Sequence, residues 1–275
     1  MLLSACSTAL PSYRHLEPVT GTRLAVFAQP NFGSAFLRLS GEHSPGEFTE
    51  SYGEVSFALI EGSSLVCEFP LVRWDDSAGL DGTADKDWKR SASGDHVYSW
   101  RQSLLASGAQ PGTSSFLPAI ASEFAFVDDH GGQRPARIQG LVENEEGFFG
   151  RIAAEWPMGG FGGYEATLSL NAGAALLGRA GRPGQGVRYL WGLAFTHALW
   201  QPGIQFSTEP LKLSIESFWL EDPIDDRRFG DLGLALELPV GAAAFSFGLR
   251  LGLTEETEDL VIFVDFASQL FDALL

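Results

Sequence analysis

The chain has very few basic residues. Only three lysines occur among its 275 residues, and the formal net charge is −17. Nucleic-acid-binding proteins carry a basic patch, whereas a chain this acidic repels a phosphate backbone. We therefore expect no nucleic-acid partner, and we expect most of the acidic excess to be solvated loop surface.

The sequence also lacks an apolar segment that could form a spanning helix. Its longest uncharged segment, Gln102–Ser122, contains Pro111 and Pro118, and proline breaks a helix interior. Charged residues make up only 19% of the chain, below the roughly 25% of an average soluble domain. If the protein lies in a membrane, it must close as a β-barrel, because open sheet edges cannot be left in lipid.

Sequence signatures of common catalytic and cofactor sites are missing as well. There is no serine nucleophile elbow, no zinc-binding HExxH and no cofactor fingerprint. The glycine-rich segment Met158–Gly163 lacks the frame of a phosphate-binding loop, so we expect a turn there. We expect neither a cofactor nor a metal ion.

Alternation of large and small residues is the main positive signal. Between Asp231 and Phe266, three successive runs place bulky apolar residues opposite small ones. The bulky residues are Leu232, Leu234, Leu236, Leu238, Phe245, Phe247, Leu249, Leu251, Leu253, Leu260, Ile262, Val264 and Phe266. A period of two indicates strands in an antiparallel meander.

The same alternation recurs along most of the chain. We predict an all-β fold in which an antiparallel meander closes into a barrel of about 12 to 14 strands, each long enough for the ~9 to 11 residues that a tilted strand needs to cross a bilayer. Residues 1–21 are predicted to be a lead-in and residues 22–275 a single barrel domain. A soluble β-sandwich or barrel, in which the bulky faces form the core, is the alternative.

The small face carries isolated charges of both signs. A membrane barrel turns Leu and Phe to lipid and small or polar residues to its lumen, and a charge facing lipid costs up to ~2 to 4 kcal/mol near the midplane. Inside a barrel, such charges can pair to plug it or can line a channel. The predicted lumen-lining residues are Glu54, Arg101, Glu123, Arg151, Glu155, Glu165, Lys212, Glu216, Glu237, Arg250 and Asp265.

The N-terminal segment Leu3-Ser4-Ala5-Cys6 resembles the lipobox of bacterial lipoproteins. The resemblance implies that Cys6 is lipidated. A secretory signal also needs a basic start and an apolar core of about 7 to 15 residues, and only Leu2 and Leu3 precede Ser4 here. Cys67, the only other cysteine, is predicted to be a small apolar strand residue.

Residues 74–95 form the longest polar insertion of the sequence. Within it, Asp85-Lys86-Asp87-Trp88 resembles the paired-aspartate motif of omptin surface proteases. That resemblance implies catalytic roles for Asp85 and Asp87 in activating water. Omptins also need an Asp-His pair late in the chain, whereas residues 222–227 contain no histidine. The acids also lack the spacing of a calcium loop.

Two stretches are similar to a family of Gram-negative outer-membrane barrels that is known only as a domain of unknown function. They are Glu68–Arg73 followed by Gly79–Gly82, and the closing meander from Asp231 to Phe266. The resemblance implies a barrel in the outer membrane and no particular activity. Unlike many such barrels, the chain does not end on an aromatic residue of the last strand, because nine residues follow Phe266.

These observations lead to three functional hypotheses. The first is an outer-membrane β-barrel with outer-membrane lipid as its partner, serving as a narrow pore or a structural barrel. The second is a periplasmic or surface lipoprotein whose soluble β-domain binds a ligand or partner. The third is a surface hydrolase that uses Asp85 and Asp87. The missing catalytic partners favour a protein that is not an enzyme.

Overall fold

The computed structural model contains twelve strands in the part of the chain that it describes. The described residues are 35–44, 48–60, 62–75, 96–105, 118–128, 145–159, 165–179, 186–200, 210–223, 226–240, 243–254, 257 and 260–271. The strands are β1 (Ala35–Ser44), β2 (Phe48–Ile60), β3 (Ser63–Asp75), β4 (His96–Leu105), β5 (Ala119–Asp128), β6 (Glu145–Gly159), β7 (Glu165–Arg179), β8 (Gly186–Trp200), β9 (Leu211–Asp222), β10 (Arg227–Val240), β11 (Ala243–Gly252) and β12 (Leu260–Phe271). Within these ranges no helix is long and apolar enough to cross a membrane.

The strands hydrogen-bond in a closed ring. Each strand pairs antiparallel with its neighbours in sequence, and β12 pairs antiparallel with β1. The predicted all-β antiparallel meander is therefore confirmed. The alternative of two stacked sheets is wrong, because the strands form one continuous closed sheet. Closure gives each described strand a hydrogen-bonded neighbour on both sides.

Backbone pairing in three strands continues into polar sequence. β9 extends to Asp222 and β10 begins at Arg227, with these two residues directly opposite each other. Gly178 and Arg179 belong to β7. Backbone pairing continues past the apolar part of a strand because it does not depend on side-chain size. β2 and β3 form a hairpin, with Gly62 at a φ of 70° in its two-residue connection.

Three glycines lie directly opposite aromatic residues on the adjacent strand. The pairs are Gly53 with Phe69, Gly230 with Trp219 and Gly248 with Phe263. A Cβ added to these glycines would lie 2.9, 2.7 and 2.5 Å from the respective ring. Each ring therefore covers its glycine, and no larger residue fits without moving the ring.

We expect Gly248→Ala to destabilise the barrel. The added Cβ would meet the backbone carbonyl of Leu234 and the fully buried Phe263 ring, and overpacking of this kind costs about 1 to 3 kcal/mol. Gly150→Ala is the matched control, because its added Cβ would lie 3.7 Å from the nearest atom. The measurement is the unfolding free energy in detergent from tryptophan fluorescence. Equal stability of the two variants would contradict the assigned packing of Phe263 on Gly248.

Candidate functional site

The outer surface of the barrel is apolar. Large apolar side chains on alternate strand positions are exposed, among them Ile152, Leu234, Ile262 and Val264 at 57%, 42%, 47% and 57%. Among the outward strand residues whose side chains the structure describes, charge occurs only at Glu221 and Arg228. These two lie opposite each other near the end of the β9–β10 hairpin. The middle of this surface is therefore free of charge wherever it is described.

Most outward-facing tyrosine and tryptophan residues of the described strands lie toward an end of the barrel, whereas Trp100 and phenylalanines such as Phe124 and Phe247 lie at mid-strand. The end at which β1 begins and β12 ends is here the terminal end, and the opposite end is the distal end. Toward the distal end lie Tyr98, Tyr189, Trp191 and Trp219; toward the terminal end lie Trp156 and Trp200. The indoles of Trp191 and Trp219 stack with centroids 5.4 Å apart, and Trp219 Nε1 donates a hydrogen bond to Ser217 Oγ at 2.8 Å. Tyrosine and tryptophan near both ends of an apolar band are typical of transmembrane barrels.

The inner face carries a buried network of two arginines and two glutamates. Arg101 on β4 donates from Nη1 and Nη2 to the two carboxylate oxygens of Glu54 on β2, at 3.1 and 3.2 Å. Its Nε donates to Glu123 on β5 at 2.7 Å, and Arg151 Nε on β6 donates to the other Glu123 oxygen at 2.6 Å. We name Glu54, Arg101, Glu123 and Arg151 the arginine–glutamate network.

Small residues on the intervening strand permit this arrangement. β3 lies between β2 and β4, and it places Ser64 opposite Arg101. The Arg101 side chain can therefore extend past β3 to reach Glu54. Arg101, Glu123 and Arg151 occupy directly paired positions on β4, β5 and β6. The network thus links four strands and balances its own charge.

The other inward charges predicted from the sequence also lie inside. Glu155, Glu216, Glu237, Arg250 and Asp265 are each 9% exposed or less, and the Lys212 side chain is 15% exposed. Their contacts include Lys212 Nζ to Glu237 Oε1 at 3.3 Å, Ser169 Oγ to Glu155 Oε2 at 3.3 Å, and the Arg250 guanidinium 5.9 Å from the centre of the Phe263 ring. The side chain of Glu165 lies outside the described part of the structure.

Three further charged residues face inward that the sequence did not single out. Glu68, Arg188 and Asp231 are 4%, 7% and 3% exposed. Each continues the alternation of its strand. On β8, the face that holds Gly192 also holds every second residue toward the start of the strand. Following this alternation would have placed Arg188 inside.

The inner face is not composed only of small and ionised residues, as the sequence had suggested. Large apolar side chains pack together inside toward the distal end, on consecutive strands from β4 to β10. This distal apolar cluster consists of Val97, Ala125, Val127, Phe149, Ala175, Leu190, Phe218, Leu220 and Phe229. These side chains pack against one another at this end of the interior, and rings supply volume that alanine and glycine cannot.

Of the remaining residues that the sequence singled out, Cys67 belongs to a described strand. Cys6, Asp85 and Asp87 lie outside the described residues. Cys67 is a free thiol on the outward face of β3, partly exposed. In the described ranges no group of three or more His, Cys, Asp or Glu side chains is arranged to hold a metal ion.

Comparison with known proteins identifies a solved structure with a similar fold. No protein-family model matches the sequence, and no curated protein matches it either. The crystal structure of an outer membrane channel from Pseudomonas putida F1 is similar, with a TM-score of 0.58, 12% sequence identity, and coverage of 87% of this chain and 96% of that one. The chain therefore shares its fold with a solved outer membrane channel, in agreement with the resemblance that the sequence showed to outer-membrane barrels.

Proposed function

We propose that the chain is an outer-membrane β-barrel whose strands cross the bilayer. The observation that carries this proposal is the division of the two faces of the closed ring: the described outer surface is apolar and uncharged except at the β9–β10 hairpin end, while paired charges lie inside. In water the exposed aliphatic band would be an aggregation surface, whereas in a bilayer it is solvated by lipid. Strands of 10 to 15 residues are long enough to span the hydrocarbon core.

Outer-membrane lipid is accordingly the proposed partner of the outer surface. The tyrosine and tryptophan rings near the two ends would lie at the levels of the lipid headgroups, where amphipathic rings are favoured. A chain lacking residues 1–12 offers a direct test. We expect it to require detergent or lipid to stay monodisperse, and a monodisperse monomer in detergent-free buffer would exclude the membrane barrel.

Within that location, we propose that the barrel provides a narrow passage for small solutes. The inner charged residues and the distal apolar cluster are almost fully buried, so the side chains that line the interior leave little room. The solved protein of the same fold is a channel, which supports a pore over a purely structural barrel. A narrow pore predicts a small conductance.

Conductance of reconstituted liposomes tests the pore. We expect small single-channel currents from the native barrel and an altered current from Arg250→Glu, because this substitution reverses an inward charge beside Phe263. Insertion is checked independently by the mobility shift of the unheated barrel on gels. If both proteins insert and neither carries current, the barrel is structural and the pore proposal is overturned.

A further inference from the structure

We infer that the proposed passage prefers small cations to anions. This inference rests on the proposed pore and adds the class of solute. It comes from the balance of charge on the inner face, where narrow, low-dielectric walls of one sign attract ions of the opposite sign.

Acidic side chains outnumber basic ones on the described part of the inner face. The eight acids are Glu54, Glu68, Glu123, Glu155, Glu216, Asp231, Glu237 and Asp265, and the five bases are Arg101, Arg151, Arg188, Lys212 and Arg250. The described part of the interior therefore carries a formal net negative charge, in keeping with the −17 of the whole chain.

Three of the five basic groups form ion pairs with acids of the inner face. Arg101 contacts both Glu54 and Glu123, and Arg151 contacts Glu123, within the arginine–glutamate network. Lys212 contacts Glu237 at 3.3 Å. In each pair the acid offsets the positive charge of the basic side chain, which would otherwise attract a passing anion.

Most of the excess of acid, two of the three charges, is found on the wall formed by β9 to β12. Glu216, Asp231, Glu237 and Asp265 face inward there against Lys212 and Arg250. Register joins part of this set into one row: Lys212 is opposite Glu237, Glu237 is opposite Ser246, and Ser246 is opposite Asp265. One lysine thus shares its row with two carboxylates, and a cation moving along this wall meets a net negative potential.

The reversal potential in a planar bilayer under a KCl gradient tests this inference on the full-length barrel. We expect potassium to permeate better than chloride. Glu216→Gln and Asp265→Asn should each lower the potassium-to-chloride permeability ratio, and Arg250→Gln should raise it. Two separate acid variants are used so that misfolding of one does not decide the result, and unheated gel mobility verifies that each is folded.

Glu221→Gln is the matched control. It removes the same charge from an outward-facing position near the end of the β9–β10 hairpin, so the permeability ratio should not change. A native barrel that prefers chloride, or inner variants that change the ratio no more than Glu221→Gln, would overturn the cation preference while leaving the pore intact. An inserted barrel without current would overturn the pore itself, and the preference with it.

Discussion

Glu123→Ala is expected to lower the unfolding free energy by about 3 to 5 kcal/mol, the usual cost of removing one partner from a buried ion pair. Glu123 accepts hydrogen bonds from both Arg101 and Arg151, and its side chain and those of the two arginines are each 1% exposed. Without this carboxylate, two guanidinium groups remain in the interior with a single compensating charge, Glu54. Urea unfolding of the barrel in lipid vesicles measures the loss.

Two comparisons show whether the loss comes from uncompensated charge. Glu221→Ala removes an exposed carboxylate from a strand end and should change stability by no more than about 0.5 kcal/mol. Replacing Glu54, Arg101, Glu123 and Arg151 together by apolar residues of similar volume should restore most of the stability, because the buried charges then disappear as a set. If Glu123→Ala were as stable as the native barrel, the network would not hold β2, β4, β5 and β6 together.

Leu234→Arg is expected to be the most damaging change on the outer surface. Leu234 lies in the middle of β10 and is 42% exposed. An arginine that faces lipid near the midplane costs about 2 to 4 kcal/mol, falling to about 0 to 1 kcal/mol near the interface. Val240→Arg is a close control, since Val240 is also outward and 42% exposed but ends the same strand.

The difference in unfolding free energy between these two variants depends on whether lipid or water surrounds the barrel. In a bilayer, Leu234→Arg should fold into vesicles with a clearly lower unfolding free energy than Val240→Arg. In water, an arginine at either exposed position would have nearly the same small effect. Equal stabilities would therefore contradict a membrane location for the middle of β10.

The alternation along β10 made the fold predictable from the sequence. Leu232 to Leu238 alternate with Gly233, Ala235 and Glu237, and the structure turns these two sets to opposite faces. A period of two is a local property of the strand, so it needs no knowledge of its neighbours. The direction in which Arg101, Glu123 and Arg250 face could be predicted for the same reason.

The partners of these residues could not be predicted in this way. Arg101 meets Glu54 across an intervening strand, and this contact depends on registers between strands that sequence alternation does not specify. The inward rings of Phe149 and Phe218 were missed because bulky residues were taken to mark the outer face. Large residues occur on both faces of the barrel. Phe218 faces inward and Trp219 faces outward only because neighbouring positions of a strand point to opposite faces.

If the strands cross a bilayer as proposed, the outward residues of each strand face hydrocarbon, and site-directed labelling along β10 tests this most directly. Cys6 and Cys67 are first replaced by serine, and single cysteines are then placed at each of positions 232 to 238. Each cysteine is labelled with a nitroxide in the unfolded chain before the barrel is folded into vesicles. We predict that oxygen, which dissolves in hydrocarbon, relaxes the nitroxides at positions 232, 234, 236 and 238 more strongly than those at 233, 235 and 237, while a water-soluble nickel chelate relaxes none of the even positions. Even positions that the nickel chelate relaxes, or that are shielded from oxygen, would contradict a lipid-facing outer surface.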